Sequence, residues 1–391
     1  MLLILLFPLA VLAVTLPSLV SSSASSSTLS TASACTAAAP TMTTAPYGSV
    51  VKPKILILAN DFELAYWNEY NFTTQYTGPL IDFTFACTDD KEICYFDCGT
   101  NERCLQQITA LIFVPGIDLS QTYTFITGTG GCNPNYGTAG GAAIAQYSIF
   151  WEHNNMFLGS DLPANFSGNY FFSYGEDVPW NYPVVSPNSV YELNGALIDR
   201  FYNLSQNIAF TEVEPYLQEL RSTYVQPAAQ RAPFLSKCDN VAQSLYWHGE
   251  VAGHNVEYFT NVVTSGAAKP CNSNEDDMGR LLGLSGAASI GRYDFNRTII
   301  VKAFSNFDRP PPQLDAYQSR FFVGEAATEP GLVNAFKVIT AAINDILNNW
   351  DCTFKDGIAP TNYVGDAIGS LGGTPPFAKE ASAVAGSIQG S

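Results

Sequence analysis

The chain has 391 residues, 35 of them acidic and 18 basic, for a formal net charge of −17 at neutral pH. That surplus argues against nucleic acid and anionic membranes as partners, because it repels both. Every one of these charges lies beyond residue 51, so an uncharged leader precedes an acidic remainder.

Residues 1–20 are an apolar run broken only by Pro8, Thr15, Pro17 and Ser18. The run resembles the core of a signal peptide, with Ala32-Ser33-Ala34 before Cys35 as a small-residue cleavage site. An uncleaved signal anchor is the alternative, since the run approaches the roughly 20 residues of a membrane span; its two prolines weaken that reading. Residues 21–50, nearly all Ser, Thr and Ala, cannot bury a core and are expected to be disordered or O-glycosylated. The remainder divides into a single domain over 51–376 and a flexible tail over 377–391.

Within that domain, residues 54–59 read as a buried first strand, followed by an aromatic stretch to Tyr70 with helical character. Residues 81–86, 110–114 and 123–127 read as further strands, and 298–304 as a late one. Residues 190–203 have helical spacing. So do residues 331–351, where Leu332, Phe336, Ile339, Ile343 and Leu347 form one stripe. Strands alternating with helices predict an α/β fold with a largely parallel sheet, and such sheets bind ligands beyond the carboxyl ends of their strands. The nine cysteines suit an oxidised, secreted chain. Cys87 with Cys94, Cys98 with Cys104, and Cys238 with Cys271 are candidate disulfides, although spacing alone does not settle the pairing. The histidines His153, His248 and His254 are scattered and no tight C-x-x-C pair exists, so no metal site is expected. Asn71, Asn165, Asn203 and Asn296 each begin a glycosylation sequon.

Four strand-end groups carry chemistry. Glu63, in "NDFELAYW", is placed to contact ribose hydroxyls or orient water, or is simply a surface acid. Gly128, Gly130 and Gly131, in "ITGTGGCNP", let backbone amides approach a ligand, or form a plain tight turn. Glu275, Asp276 and Asp277, in "CNSNEDDMG", open a helix, either as dipole-favoured acids or as partners for vicinal hydroxyls. Asn306 and Asp308, in "SNFDRPPP", sit where an apolar run stops. Asn306 offers a donor and an acceptor to a heterocycle edge, Asp308-Arg309 is a candidate local ion pair, and a surface turn is the simpler reading.

"SNFDRP" (305–310), "PTNYVGDAIGSLGGTP" (360–375), "NEDDM" (274–278) and "VYELNGAL" (190–197) resemble the purine nucleoside permease family, in consistent order from residue 54 to 376. The resemblance implies the nucleoside phosphorylase-like fold, an α/β sandwich with a central mixed, largely parallel sheet flanked by helices, and a purine nucleoside ligand. It also implies Glu63 near ribose or the nucleophile, the three glycines along the base pocket, Glu275 at the ribose hydroxyls and Asn306 at purine N7. Two departures stand out. The T-G-E-G-E-I-N-A-like loop of relatives reads "CGTNERCLQQ" here, and Asn306 replaces an Asp that could protonate a leaving base.

Three functions follow as expectations. The first is a secreted or cell-surface protein that binds purine nucleosides and serves uptake or salvage, with membrane or cell-wall partners. The second is an enzyme cleaving the N-glycosidic bond through Glu63 and Asn306, more readily a hydrolase than a phosphorylase. The third is an inactive interaction protein on the same fold. No cofactor is expected, and phosphate would be a co-substrate only for a phosphorylase. Base preference and oligomeric state stay open.

Overall fold

In the computed structural model, which describes residues 43–44, 51–76, 84–114, 116–152, 154–157, 159–163, 171–173 and 190–377, the run ILILA forms β1 (Ile55–Ala59) with all five residues buried. A 3-10 segment, Asp61–Tyr70, follows. Then come β2 (Thr84–Cys87), β3 (Ile93–Asp97), α1 (Asn101–Phe113), β4 (Tyr123–Ile126) and β5 (Thr129–Cys132). The expected second strand therefore exists from Thr84 onward, while residues 81–83 lie outside the described residues.

Residues 110–114, read above as a strand, instead end helix α1. Cys104, Ile108, Leu111 and Ile112 are buried at helical spacing, and a short apolar run cannot by itself distinguish the two. β6 (Ala142–Ala145) and β7 (Tyr147–Phe150) come next. The expected helix over 190–203 is two elements, β8 (Val190–Glu192) and α2 (Gly195–Ser205). They are separated by Asn194, whose side chain caps the helix by accepting from the Leu197 amide. The chain continues through α3 (Pro215–Ser222), β9 (Asp239–Ala242), α4 (Glu250–Thr264), β10 (Pro270–Asn274) and α5 (Asp277–Ser289), then β11 (Thr298–Phe307) and α6 (Thr328–Asn348).

The sheet runs β2-β3-β1-β4-β11-β5-β10-β9-β7-β8, extended by Thr74–Tyr76 and Thr43–Thr44 beyond β2 and by Gly365–Asp366 beyond β8. β6 lies off this path, antiparallel to β11. The fold is α/β, and its sheet is mixed, with parallel pairings along its centre. β1 is parallel to β3 and β4, and β11 to β4 and β5; β2–β3, β5–β10 and β7–β8 are antiparallel. Sequence reading missed β9 and β10 because they are DNVA and PCNSN, buried strands with little apolar signal.

Apolar clusters cover both faces of the sheet. One gathers Ile108 and Leu111 of α1 with Leu281 and Leu284 of α5. The other gathers Leu197 and Phe201 of α2 with Leu332, Ile339 and Ile343 of α6, much of the predicted stripe. A side chain at Gly279 would lie 1.8 Å from the Asn101 carbonyl oxygen, so only glycine lets the first turn of α5 seat against α1. Among the described residues no helix is long and apolar enough to cross a membrane. The leader, His153, Cys35 and the Asn165 sequon lie outside the described residues, as does the tail beyond Phe377, whose own ring is buried.

Candidate functional site

Among the described residues β11 is the longest strand, ten residues, and all are buried. Its first half pairs with β4 and its second with β5, so the strand spans from the core to the carboxyl edge of the sheet. The stretch Ser305-Asn306-Phe307 is therefore strand, not turn. Phe304 faces Gly130 and Asn306 faces Gly131, leaving Ser305 as the extra residue of a β-bulge. Regular alternation would send Ser305 and Asn306 to opposite faces; the bulge re-aims them, and both line one cleft.

That cleft encloses about 320 Å³, near the lower end of the roughly 300–1,000 Å³ usual for small-molecule sites. Thr129, Gly130 and Gly131 of β5, Ser273 and Asn274 of β10, and Asp276 form its floor, and Phe62, Tyr246, Trp247, Glu275, Arg320 and Glu325 its mouth. Gly130 and Gly131 thus belong to a strand and not a turn, whereas Gly128 precedes that strand and is absent from the cleft lining. A Cβ on Gly130 would meet Asn272 at 2.5 Å, so the backbone itself is the surface there. Thr100, in the sequence that departs from relatives, also reaches the cleft. It sits between Cys98 and Cys104, which form a disulfide, as do Cys87–Cys94 and Cys238–Cys271. Cys132 and Cys352 are free.

Asn306 is held before any ligand arrives. Its Oδ1 accepts from the Ser305 hydroxyl at 2.8 Å, and its Nδ2 donates to the Phe307 carbonyl at 2.8 Å and to the Tyr246 hydroxyl at 3.4 Å. Asp308, its partner in the sequence reading, is absent from the cleft lining. Asp308 accepts from Arg309 at 2.7 and 3.2 Å, and Arg309 also reaches Glu257 at 3.0 Å. The local ion pair is what forms.

Beneath the floor lies a second group of charges. Glu63 is buried, with Oε1 accepting from the Thr129 amide at 3.1 Å and Oε2 from the Asn60 amide at 2.9 Å. Gly128, at φ +134°, passes between carboxylates: a Cβ there would stand 3.1 Å from Glu63 Oε1 and 3.3 Å from Asp276 Oδ2. Lys302 and Arg280, both fully buried, answer these acids. Lys302 Nζ lies 2.7 Å from Asp277 Oδ1 and 3.5 Å from Asp276 Oδ2, and Arg280 lies 3.8 Å from Asp277 and 3.7 Å from Asp276. Asp277 also accepts from Asn240 at 2.7 Å. It is spoken for, and only Asp276 of the pair borders the cleft.

Three carboxyls share two cations, and the imbalance falls on Glu63. Burial, then repulsion from Asp276, push its carboxyl up to about 7, against the pull of Arg280, the Asn60 amide and Lys302. Burial also pushes Asp276 upward, but Arg280, Lys302 and Asn60 together outweigh it and hold that carboxyl below its usual range. Glu275, exposed at the rim, is raised by partial burial and by Asp276 and Glu325. The site can therefore hold one exchangeable proton near neutrality, beside polar edges and aromatic faces.

Sequence reasoning missed Lys302, Arg280 and the aromatic mouth. Lys302 had a signal, as the only charge inside the apolar run TIIVKAF. Tyr246 and Trp247 had none, because nothing local places them opposite Asn306. Of the sequons within the described residues, Asn71 and Asn203 are exposed and Asn296 is half-buried, donating to Asp294 at 2.8 Å.

Similarity to known proteins can be set beside this geometry. The family model described as purine nucleoside permease matches residues 52–359. A purine nucleoside permease of Candida albicans is 31% identical over 352 residues, spanning 86% of each chain. Another, from C. albicans strain SC5314, is 31% identical over 319 residues, covering 80% of this chain and 78% of its own. Among solved structures, futalosine hydrolase of Helicobacter pylori aligns with TM-score 0.45 at 12% identity, over 76% of this chain and 98% of that one. The 5'-methylthioadenosine/S-adenosylhomocysteine nucleosidase of Neisseria meningitidis aligns with TM-score 0.46 at 10% identity, over 74% and 98%.

Proposed function

The chain belongs to the purine nucleoside permease family, and from that premise we propose that its cleft binds a purine nucleoside and serves uptake or salvage outside the cell. The observation that carries this reading is the bulge at Ser305, which turns the Asn306 amide toward a cleft rimmed by Phe62, Tyr246 and Trp247. An amide edge offers directed hydrogen bonds to a base, and aromatic faces offer stacking. Glu275 and Asp276, on the same cleft lining, suit vicinal ribose hydroxyls. The role is capture: a transport path needs helices or a closed barrel through roughly 30 Å of hydrocarbon, and none of the described helices qualifies. Secretion, with the apolar leader as its signal, agrees with three disulfides.

A second reading, hydrolysis of the N-glycosidic bond, is favoured by one observation. Glu63 accepts from the amide of the cleft-lining Thr129 at 3.1 Å, and burial and Asp276 push its carboxyl up to about 7, which suits a general base for water. Phosphorolysis suits the site less, since Arg320 stands among Glu275, Asp276 and Glu325 along the lining.

Calorimetry with inosine, guanosine and adenosine tests the first reading, and a heat of binding is expected for at least one of them. Absence of heat for all three sinks it. Release of free base without phosphate establishes hydrolysis; release only with phosphate establishes phosphorolysis instead.

A further inference from the structure

Among the described residues the cleft lining carries four charged side chains, Glu275, Asp276, Glu325 and Arg320. Asp276 is answered from below by Lys302 and Arg280, which leaves Glu275 and Glu325 at the mouth against a single guanidinium. Arg320 is itself engaged: it stacks on the Tyr246 ring at 4.1 Å and pairs with Glu325 at 3.5 Å. The mouth therefore keeps an uncompensated negative charge, on a chain whose whole sequence carries −17. Glu275 responds to it, since partial burial and then Asp276 and Glu325 push its carboxyl upward. Two features that would welcome an anion are already satisfied. The amino end of α1 reaches the lining at Thr100, but Glu102 stands in its first turn. The Thr129 amide donates to Glu63 at 3.1 Å.

A cleft of about 320 Å³ spans roughly 7 Å, within the ~8 Å screening length at physiological ionic strength. A charge on a ligand seated anywhere in it is felt by the carboxylates of the mouth, whichever way the base is turned. We infer that Glu275 and Glu325 select ligands by charge, so that the cleft takes purine nucleosides with a neutral or cationic 5′ group and turns away their 5′-monophosphates. This rests on the nucleoside reading above and narrows its ligand class. It also gives the protein a place in a reaction sequence, downstream of phosphomonoester hydrolysis. In that reaction water attacks phosphorus, the bond from phosphorus to the 5′ oxygen breaks, and nucleoside and inorganic phosphate leave.

Calorimetry on the full chain is the test. It uses whichever of adenosine, inosine and guanosine binds, its 5′-monophosphate, and its 5′-amino-5′-deoxy analogue, which carries an ammonium where the nucleoside has a hydroxyl. The monophosphate should bind at least about tenfold more weakly than the nucleoside, and the ammonium about threefold more tightly. Raising the ionic strength should draw the three affinities together. Glu325→Gln, at an exposed position, should cut the ratio of nucleoside to monophosphate affinity about threefold. Glu275→Gln, also exposed, should cut it similarly, and thermal melting confirms that each variant is folded. Equal or tighter binding of the monophosphate overturns the charge selection and leaves nucleoside binding standing. So does a gap that neither salt nor either variant moves, with the ammonium bound no more tightly than the hydroxyl, which is the pattern of a purely steric limit. If none of the three nucleosides binds, the nucleoside reading falls and the selection falls with it.

Discussion

Two buried charge clusters flank the Ser305 bulge on the path of β11, and they solve the same problem differently. On the far side, Asp308 is matched by Arg309, with Glu257 and the more exposed Glu250 completing the guanidinium's contacts. Burial, offset by Arg309, still pushes the Asp308 carboxyl up to about 6, yet the group is sealed behind the strand end. On the near side, Lys302 and Arg280 are outnumbered by Glu63, Asp276 and Asp277, and Glu63 touches the backbone amide of a residue lining the cleft. The difference teaches how a buried acid becomes available for chemistry: it lies next to a cavity and has no cation of its own. Asp308 has a partner and holds the strand end; Glu63 lacks one and keeps a labile proton.

The strongest way to break that contrast is to remove a cation from each cluster. Lys302→Met leaves Asp276 and Asp277 with Arg280 alone, and a loss of about 3–5 kcal/mol in urea unfolding is expected. Arg309→Met should cost stability in the same range. Only the Lys302 variant, however, should shift the pH dependence of ligand binding, because only its cluster includes Glu63. If both variants shift it alike, the two clusters are not distinct in the way described.

The next test is pH itself. Folding raises the Glu63 carboxyl to about 7, so the folded chain holds that proton more tightly than the unfolded chain. The associated stability is full below pH 4 and is lost as pH rises through 7, amounting to roughly 3 kcal/mol. Glu63→Gln carries no such proton. Its urea midpoint should fall less than that of the parent between pH 5 and 8, whatever the fixed cost of misplacing one amide hydrogen bond. Parallel pH curves for the two proteins would sink the assignment.

Asn306→Asp sharpens the comparison from the cleft side. A carboxyl there adds a proton donor to the cleft lining, and base release is expected to rise roughly a hundredfold if the site hydrolyses nucleosides. No gain would count against Asn306 facing the base. The smallest effect belongs to the mouth: Phe62→Ala removes a stacking face and should weaken nucleoside binding about tenfold, read by calorimetry.

Much of this was legible in the chain. The apolar runs at β1, β4 and β11 and the stripe of α6 rest on local pattern, because burial on one face or in a continuous run is written into composition; the disulfide pairings do not, since spacing alone leaves them open. Asn306 and the glycines before Cys132 were marked as site candidates by the same local logic, through position after a strand and side-chain chemistry. What local pattern could not decide was everything that depends on a neighbour distant in sequence. The strands β9 and β10 are polar because their side chains face the charge cluster and the cleft. Residues 110–114 are helical because α1 packs along α5. Asp308 leaves the site because Arg309 holds it, and Glu63 acquires its raised pKa only when folding buries it and brings Asp276 beside it from more than two hundred positions away, against the pull of Arg280 and Lys302. The bulge that turns Ser305 and Asn306 to one side exists only in register with Gly130 and Gly131. Electrostatic balance in a buried site is a sum over neighbours, and the tertiary structure alone says who the neighbours are.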